Sequence, residues 1–227
     1  MADSSTETLL ETPLASLHRE LGGRMVPFAG YMMPVQYPAG ILTEHLHTRA
    51  AASLFDVSHM GQAELIGEGA AAALERVTPA DVQILKPGRQ KYGLLTTDDG
   101  GILDDFMVAN LGDRLFLVVN ASRKHVDLPR IASALPAGVT LKPLPDRALI
   151  ALQGPQAVAA IATLAPGVAD LPFMGVGSFN IAGVAALVSR SGYTGEDGVE
   201  ISVPAEQAEG FARALLALPR VQPAGLG

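Results

Sequence analysis

Gly100-Gly101-Ile102-Leu103-Asp104-Asp105-Phe106-Met107-Val108 is a turn that runs into a strand, and the strand opens on two acids. Asp suits a strand start poorly, because its side chain competes with the ladder by bonding its own backbone. An acid there either caps the turn or is needed in a pocket. Neighbours on an extended segment point to opposite faces, so one acid is expected inward and the other in solvent, and the two cannot share a proton. On the residues alone both readings, turn cap and catalytic carboxylate, stay open.

Outward from this stretch a pattern occurs twice. The first copy has a strand near Leu54–Ile66, a helix near Ala70–Val77, a hairpin from Tyr92–Thr97, Ile102–Asn110 and Leu115–Asn120, and a helix near Ser122–Leu135. The second has a strand at Ala148–Gln153, a helix at Gln156–Leu164, a hairpin from Gly183–Ser189 and Gly198–Val203, and a helix from Ala205 to Leu218. Strand–helix–hairpin–helix in duplicate predicts an α+β fold with mostly antiparallel sheets. The expected organisation is N-terminal helices and a loop over 1–53, a first repeat over 54–145 and a second over 146–227, all one unit. Within 1–53, Thr12-Pro13 reads as N-cap and first helical residue, with Leu14, Leu17 and Leu21 on one face. The segment from Arg24 to Gly40, rich in Met, Pro and Tyr, reads as a loop. Leu42, Leu46 and Ala50 mark a second helix from about Ile41 to Ser53. Duplication puts the Asp104 hairpin and the Tyr193–Glu200 hairpin in equivalent places, converging on a central pocket. Pro223-Ala224-Gly225-Leu226-Gly227 has neither a terminating helix nor a polar tail, and is expected to lead into a further segment.

The 227 residues are 48% hydrophobic, which excludes a disordered chain. A net charge of −7 without a basic run argues against nucleic-acid or anionic-membrane partners. No window approaches the ~20 apolar residues of a membrane helix. The polar, acidic start Met1-Ala2-Asp3-Ser4-Ser5-Thr6-Glu7 resembles neither a secretory signal nor a transit peptide, and a cytoplasmic location is expected. Without cysteine there is no disulfide, thiolate metal site or Cys nucleophile.

Gly192-Tyr193-Thr194-Gly195-Glu196-Asp197-Gly198-Val199-Glu200 is either a long hairpin loop or a loop that lets a planar ligand approach the backbone, with Tyr193 stacking and Glu200 accepting hydrogen bonds. In Asp56-Val57-Ser58-His59-Met60 the histidine is a base, a ligand or a satisfied core residue. His45 and His47 fall on different helix faces, so no metal site is expected. Phosphate-binding glycine signatures in a strand-to-helix context and a Gly-x-Ser-x-Gly elbow are both missing.

Met32-Met33-Pro34, Phe55-Asp56-Val57-Ser58-His59-Met60, Gly101-Ile102-Leu103-Asp104-Asp105, Val119-Asn120-Ala121, Leu152-Gln153-Gly154-Pro155 and Gly192-Tyr193-Thr194-Gly195-Glu196 together resemble the T-protein family of the glycine cleavage system. The resemblance runs from about Arg24 to Gly227. It implies a tetrahydrofolate-dependent aminomethyltransferase. H-protein presents an aminomethyl group on its reduced lipoyl arm, and tetrahydrofolate takes up the methylene as ammonia leaves. It implies a folate-binding fold in which Asp104, the first acid of the pair, is the essential carboxylate. It also makes Tyr193 and Glu200 the pterin contacts, with Asn120 and Tyr92 further folate contacts and Met60 lining the pocket. No metal is implied. In the family the Gly-Leu-Gly string continues into an Ala-Arg helix and a C-terminal β-barrel domain, absent from this sequence. The alternative is a folate-binding module without transferase activity, or an inactive fragment.

Overall fold

The structure, a computed structural model, describes residues 9–227. It begins with β1 (Leu10–Glu11), α1 (Ala15–Glu20), β2 (Arg24–Phe28), β3 (Tyr31–Gln36) and α2 (Ile41–Ala50). The expected loop is thus a hairpin. Ala29 and Gly30 take φ of 49° and 82°, the two successive positive values of a tight hairpin turn. Pro34 fits the middle strand because it lies beyond the stretch of β3 that β1 covers, and its carbonyl on that side accepts from Leu226 N. Thr12 is not the helix cap. Its hydroxyl donates to Asp56 Oδ2 at 2.6 Å, and α1 has no side-chain cap. Leu14 and Leu17 are buried as expected.

The expectation for α2 is overturned. Leu42 and Leu46 are 71% and 57% exposed, and the buried positions are Glu44 and Thr48. The inward face is polar because it serves backbone donors from two loops. Glu44 accepts from Tyr37 N at 2.6 Å and from Gly225 N at 2.8 Å. Thr48 donates to Ser53 Oγ and to the Glu44 carbonyl.

The long strand expected over Leu54–Ile66 is two, β4 (Ala52–Asp56) and β5 (Gly61–Ile66), which enter different sheets. Between them Asp56 Oδ1 accepts from Ser58 N, the local Asx bond that turns the chain. There follow α3 (Ala70–Leu74), β6 (Arg89–Thr96), β7 (Ile102–Asn110), β8 (Arg114–Val119), α4 (Lys124–Ser133) and β9 (Thr140–Pro143). Then come β10 (Arg147–Gln153), α5 (Ala157–Ala162), β11 (Val176–Ile181), β12 (Val184–Ser189), β13 (Gly198–Pro204), α6 (Ala208–Leu216) and β14 (Val221–Pro223). Short 3-10 turns cover Pro166–Asp170 and Ala205–Gln207.

The duplication is plain in the strand orders, β6-β7-β8-β5-β9 and β11-β12-β13-β10-β4-β14. Each is a three-stranded meander beside the repeat's first and last strands, with β4 inserted in the second. The second hairpin is therefore a meander whose strand β11 the sequence reading left out. The Asp104 turn joins the first and second strands of its meander, whereas the Tyr193 loop joins the second and third of its own. The two are not equivalent places, although they meet in space.

One sheet packs on α3 and α4 through Leu65, Leu95, Leu117 and Ile131. The other packs on α1, α5 and α6 through Ile150, Leu152, Ile161 and Phe211. The opposite faces of the two sheets meet over a smaller cluster, Ala109, Phe116 and Val176. Their edges are tied by Gln90 N to Met174 O and Val176 N to Gly88 O, each 2.9 Å. The strands of the two meanders thus have a helix side and an inter-sheet side, and this alternation positions the site. No helix among the described residues is long and apolar enough to cross a membrane.

Candidate functional site

The inter-sheet space narrows to a small cavity lined by Gln90, Met107, Val118, Leu149, Glu200 and Ser202. On β7, Phe106 and Val108 enter the helix-side core, so Met107 and Asp105 face the cleft. Tyr92, on the same side of β6, donates its hydroxyl to Asp105 Oδ2 at 2.6 Å. That bond, above all, raises the tyrosine's pKa. Asn120, at the end of β8, turns its amide NH2 to Asp105 Oδ1 and to Asp104 Oδ1, the latter at 3.0 Å.

The second sheet contributes Glu200 of β13, whose neighbours Val199 and Ile201 lie in the helix-side core. Burial pushes its pKa up, while the 2.6 Å bond from Ser191 Oγ to Oε2 works the other way. Oε1 is left for a ligand donor. Tyr193, 74% exposed, stands beside these acids. Its hydroxyl is raised to about 12 by partial burial first, then by the charges of Glu200 and Asp105.

Gln153, 1% exposed, holds the Tyr193 loop. Its Nε2 donates to Ser191 O at 2.9 Å, and its Oε1 accepts from Thr194 Oγ1 at 3.0 Å. A Cβ on Gly192 would fall 1.8 Å from that Oε1, so the loop can lie against Gln153 only with glycine there.

Asp104 lies on the other side of the sheet. Neither acid is the solvated one that the sequence suggested; both are half-buried. Asp104 reaches toward α4, where it meets Asp127, a fully buried residue the sequence reading did not single out. Burial first, then the hydrogen bond and charge of Asp104, raise Asp127 to about 7. The sequence signal for it was an acid one turn before the buried Ile131, on the helix's apolar side. The side chains of Asp104 and Asp105 leave opposite faces of β7, as expected.

Met60 lines a separate cavity of about 210 Å³ with Tyr31, Lys124 and Arg147, away from Tyr92 and Glu200. His59 is 5% exposed and packs edge-on against Phe28 and Tyr31. Its pKa is lowered chiefly by burial. Asp56, His18 and Tyr37 form a buried chain under α1, with His18 Nε2 2.8 Å from Asp56 Oδ2 and His18 Nδ1 2.8 Å from Tyr37 Oη. Among the described residues no cluster of three His, Asp or Glu side chains is arranged to hold a metal ion.

Comparison with known proteins fits this architecture. Residues 14–227 match the family described as the GCVT N-terminal domain. The chain belongs to this family. Among GCVT relatives, the mitochondrial aminomethyltransferase of Dictyostelium discoideum is 42% identical over 99% of this chain and 60% of its own length. The aminomethyltransferase of Deinococcus deserti is 43% identical over 100% and 64%. The crystal structure of glycine cleavage system aminomethyltransferase T from Bartonella henselae superposes with a TM-score of 0.89 at 40% identity, over 96% of this chain and 60% of that one. A heterotetrameric sarcosine oxidase from Corynebacterium shares the fold, with a TM-score of 0.58 at 19% identity. This GCVT chain thus spans about 60% of the length of the curated relatives it matches.

Proposed function

We propose that this chain forms the folate-binding body of a glycine cleavage aminomethyltransferase. The substrate is an aminomethyl group carried on the dihydrolipoyl sulfur of H-protein, and the acceptor is tetrahydrofolate. N5 and N10 of the folate each form a bond to the methylene carbon. Its bonds to the amine nitrogen and to sulfur break, and the two displaced protons leave on ammonia and on the dihydrolipoyl thiol.

The observation that carries this reading is the approach of Asp105 and Tyr92 from one sheet to Glu200 and Tyr193 from the other in a GCVT-family chain, near enough for the two acids to raise the Tyr193 hydroxyl. A reduced pterin is planar and carries adjacent N–H donors. Glu200 suits them as a carboxylate fork, and the exposed ring of Tyr193 offers a stacking face. Positive charge develops at the methylene during transfer, and a carboxylate facing the cleft stabilises it. Between the paired acids we assign that role to Asp105, in place of the Asp104 implied by the resemblance. Asp105 fronts the cleft beside Tyr92, whereas Asp104 is turned to the sealed helix side against Asp127. Asn120 acts by orienting Asp105, and Met60 belongs to the neighbouring cavity.

Calorimetric titration of the chain with tetrahydrofolate tests the binding half. Ammonia release from aminomethyl-loaded H-protein tests the transfer. Binding that is absent, or unchanged in a chain carrying both Glu200→Gln and Tyr193→Ala, overturns the reading.

A further inference from the structure

Three carboxyl oxygens lie buried without a partner on the helix side of the first sheet: Asp104 Oδ2 and both oxygens of Asp127. Asp104 and Asp127 face each other in this layer, and after burial it is Asp104 that raises the Asp127 pKa most. Side by side and buried, they cannot both ionise cheaply, and a single proton between them gives an oxygen on each side its partner. The proton belongs on Asp127. No N–H or O–H reaches either of its oxygens. Asp104 Oδ1 accepts from Asn120 Nδ2, a bond that favours the charged form.

We propose that Asp127 and Asp104 share one proton, carried by Asp127 and donated to Asp104 Oδ2, and that this pair anchors Asn120 and through it sets the position of Asp105 in the cleft. The chain of bonds is continuous. Asp127 donates to Asp104, and one N–H of Asn120 donates to Asp104 Oδ1. The other N–H donates to Asp105 Oδ1, and Asp105 Oδ2 accepts from Tyr92. It crosses the end of the sheet from a sealed side to an open one. Asp127 does not reach the cleft, so it is a positioning residue. The charged groups facing it are Asp104 and Asp105 from β7, which hold its proton more tightly, and Arg123 at the head of α4, which loosens it. Raised to about 7, Asp127 keeps its proton in mildly acidic solution and releases it above neutrality.

The meaning of Asp105 rests on the proposed function; the proton on Asp127 does not. Carbon-13 NMR of the chain labelled at Asp carboxyls is expected to show one group titrating near neutrality, lost in Asp127→Asn. If every Asp carboxyl titrates below about 5, the proposal is overturned. Stability supplies a second readout. Between the ordinary value of 3.8 and about 7 the unfolded chain has released a proton that the folded chain keeps. Wild type should therefore lose stability relative to Asp127→Asn as pH rises through that window, and no further above it.

Positioning is read from tetrahydrofolate affinity. Asp127→Asn keeps a donor toward Asp104 and should retain affinity within about threefold with a flat pH profile, whereas Asp127→Leu should lose about tenfold or more. Equal losses in both variants overturn the positioning role. If Asp127→Asn does not fold, the wild-type titration still decides the proton. A chain that shows the titrating group but binds no tetrahydrofolate refutes the proposed function and leaves the shared proton standing.

Discussion

Asp104 and Asp105 are neighbours in the chain, yet the strand puts them in two different media. Asp104 looks into a helix-covered layer where it faces the buried carboxyl of Asp127, and three oxygens of the two acids find no donor there. Asp105 looks into the cleft, where an exposed tyrosine donates to it and a second sheet faces it. The residue type is the same and the backbone is continuous; the pleat alone puts one carboxyl on the helix side of the sheet and the other in the cleft. Identity at a motif position therefore does not give a residue its role until the side it faces is known.

Exchanging the two acids in turn is the strongest way to break this comparison, and it carries the largest expected effect. Asp105→Asn keeps the acceptor for Asn120 and loses the charge. Tetrahydrofolate-dependent ammonia release from aminomethyl H-protein should fall ~10²–10³-fold with the melting temperature unchanged. Asp104→Asn should cost far less in rate. It also removes the like charge beside Asp127 and brings that group's proton affinity down. The reverse ranking, with Asp104→Asn the slower enzyme at equal stability, would return the catalytic role to Asp104.

Glu200→Gln extends the comparison to the second sheet. Glu200 faces the same cleft as Asp105, and burial raises its pKa. The amide retains one acceptor and loses the charge. Tetrahydrofolate binding should weaken by ~1–3 kcal/mol, the range for hydrogen bonds to charged groups. Unchanged affinity in a calorimetric titration would make Glu200 a partner of Ser191 and nothing more.

Much of this arrangement was legible in the sequence because it follows from local periodicity. The apolar run of β10, from Ala148 to Leu152, is buried throughout, as its composition implies. In α6 the helical spacing of Phe211 and Leu215 reports the face that packs. The duplicated order of elements could be read the same way. What escaped depends on contacts between distant segments. The split into β4 and β5 falls within the mixed apolar and polar run from Leu54 to Ile66 and is set by which sheet each half joins. Asp127 becomes significant only once β7 is laid against α4. The sides of Asp104 and Asp105 depend on the register of β7 against β6, which slips by one residue between Leu95 and Thr96. The resemblance supplied the acid pair; the side that each member faces comes from the pleat.

The same lesson holds for a helix. In α2 the carboxylate of Glu44 is inside, where it caps two backbone N–H groups, and the leucines are outside. Glu44→Ala leaves the Tyr37 and Gly225 amides without their acceptor. It should destabilise the chain by about 1–3 kcal/mol, measured by urea unfolding.

Leu46→Gln, on the outer face of the same helix, carries the smallest expected effect and sharpens the contrast most. A periodicity reading makes Leu46 a core residue, and a buried leucine replaced by a polar side chain would cost several kcal/mol through lost packing and an unpaired amide. In the structure Leu46 is 57% exposed, and glutamine is nearly as good a helix former as leucine. The change in unfolding free energy should then stay within about 0.5 kcal/mol, less than that of Glu44→Ala two residues away. Urea unfolding of the two variants side by side measures both. A loss for Leu46→Gln larger than that for Glu44→Ala would mean that α2 sits the other way round in solution, with its leucines in and its carboxylate out.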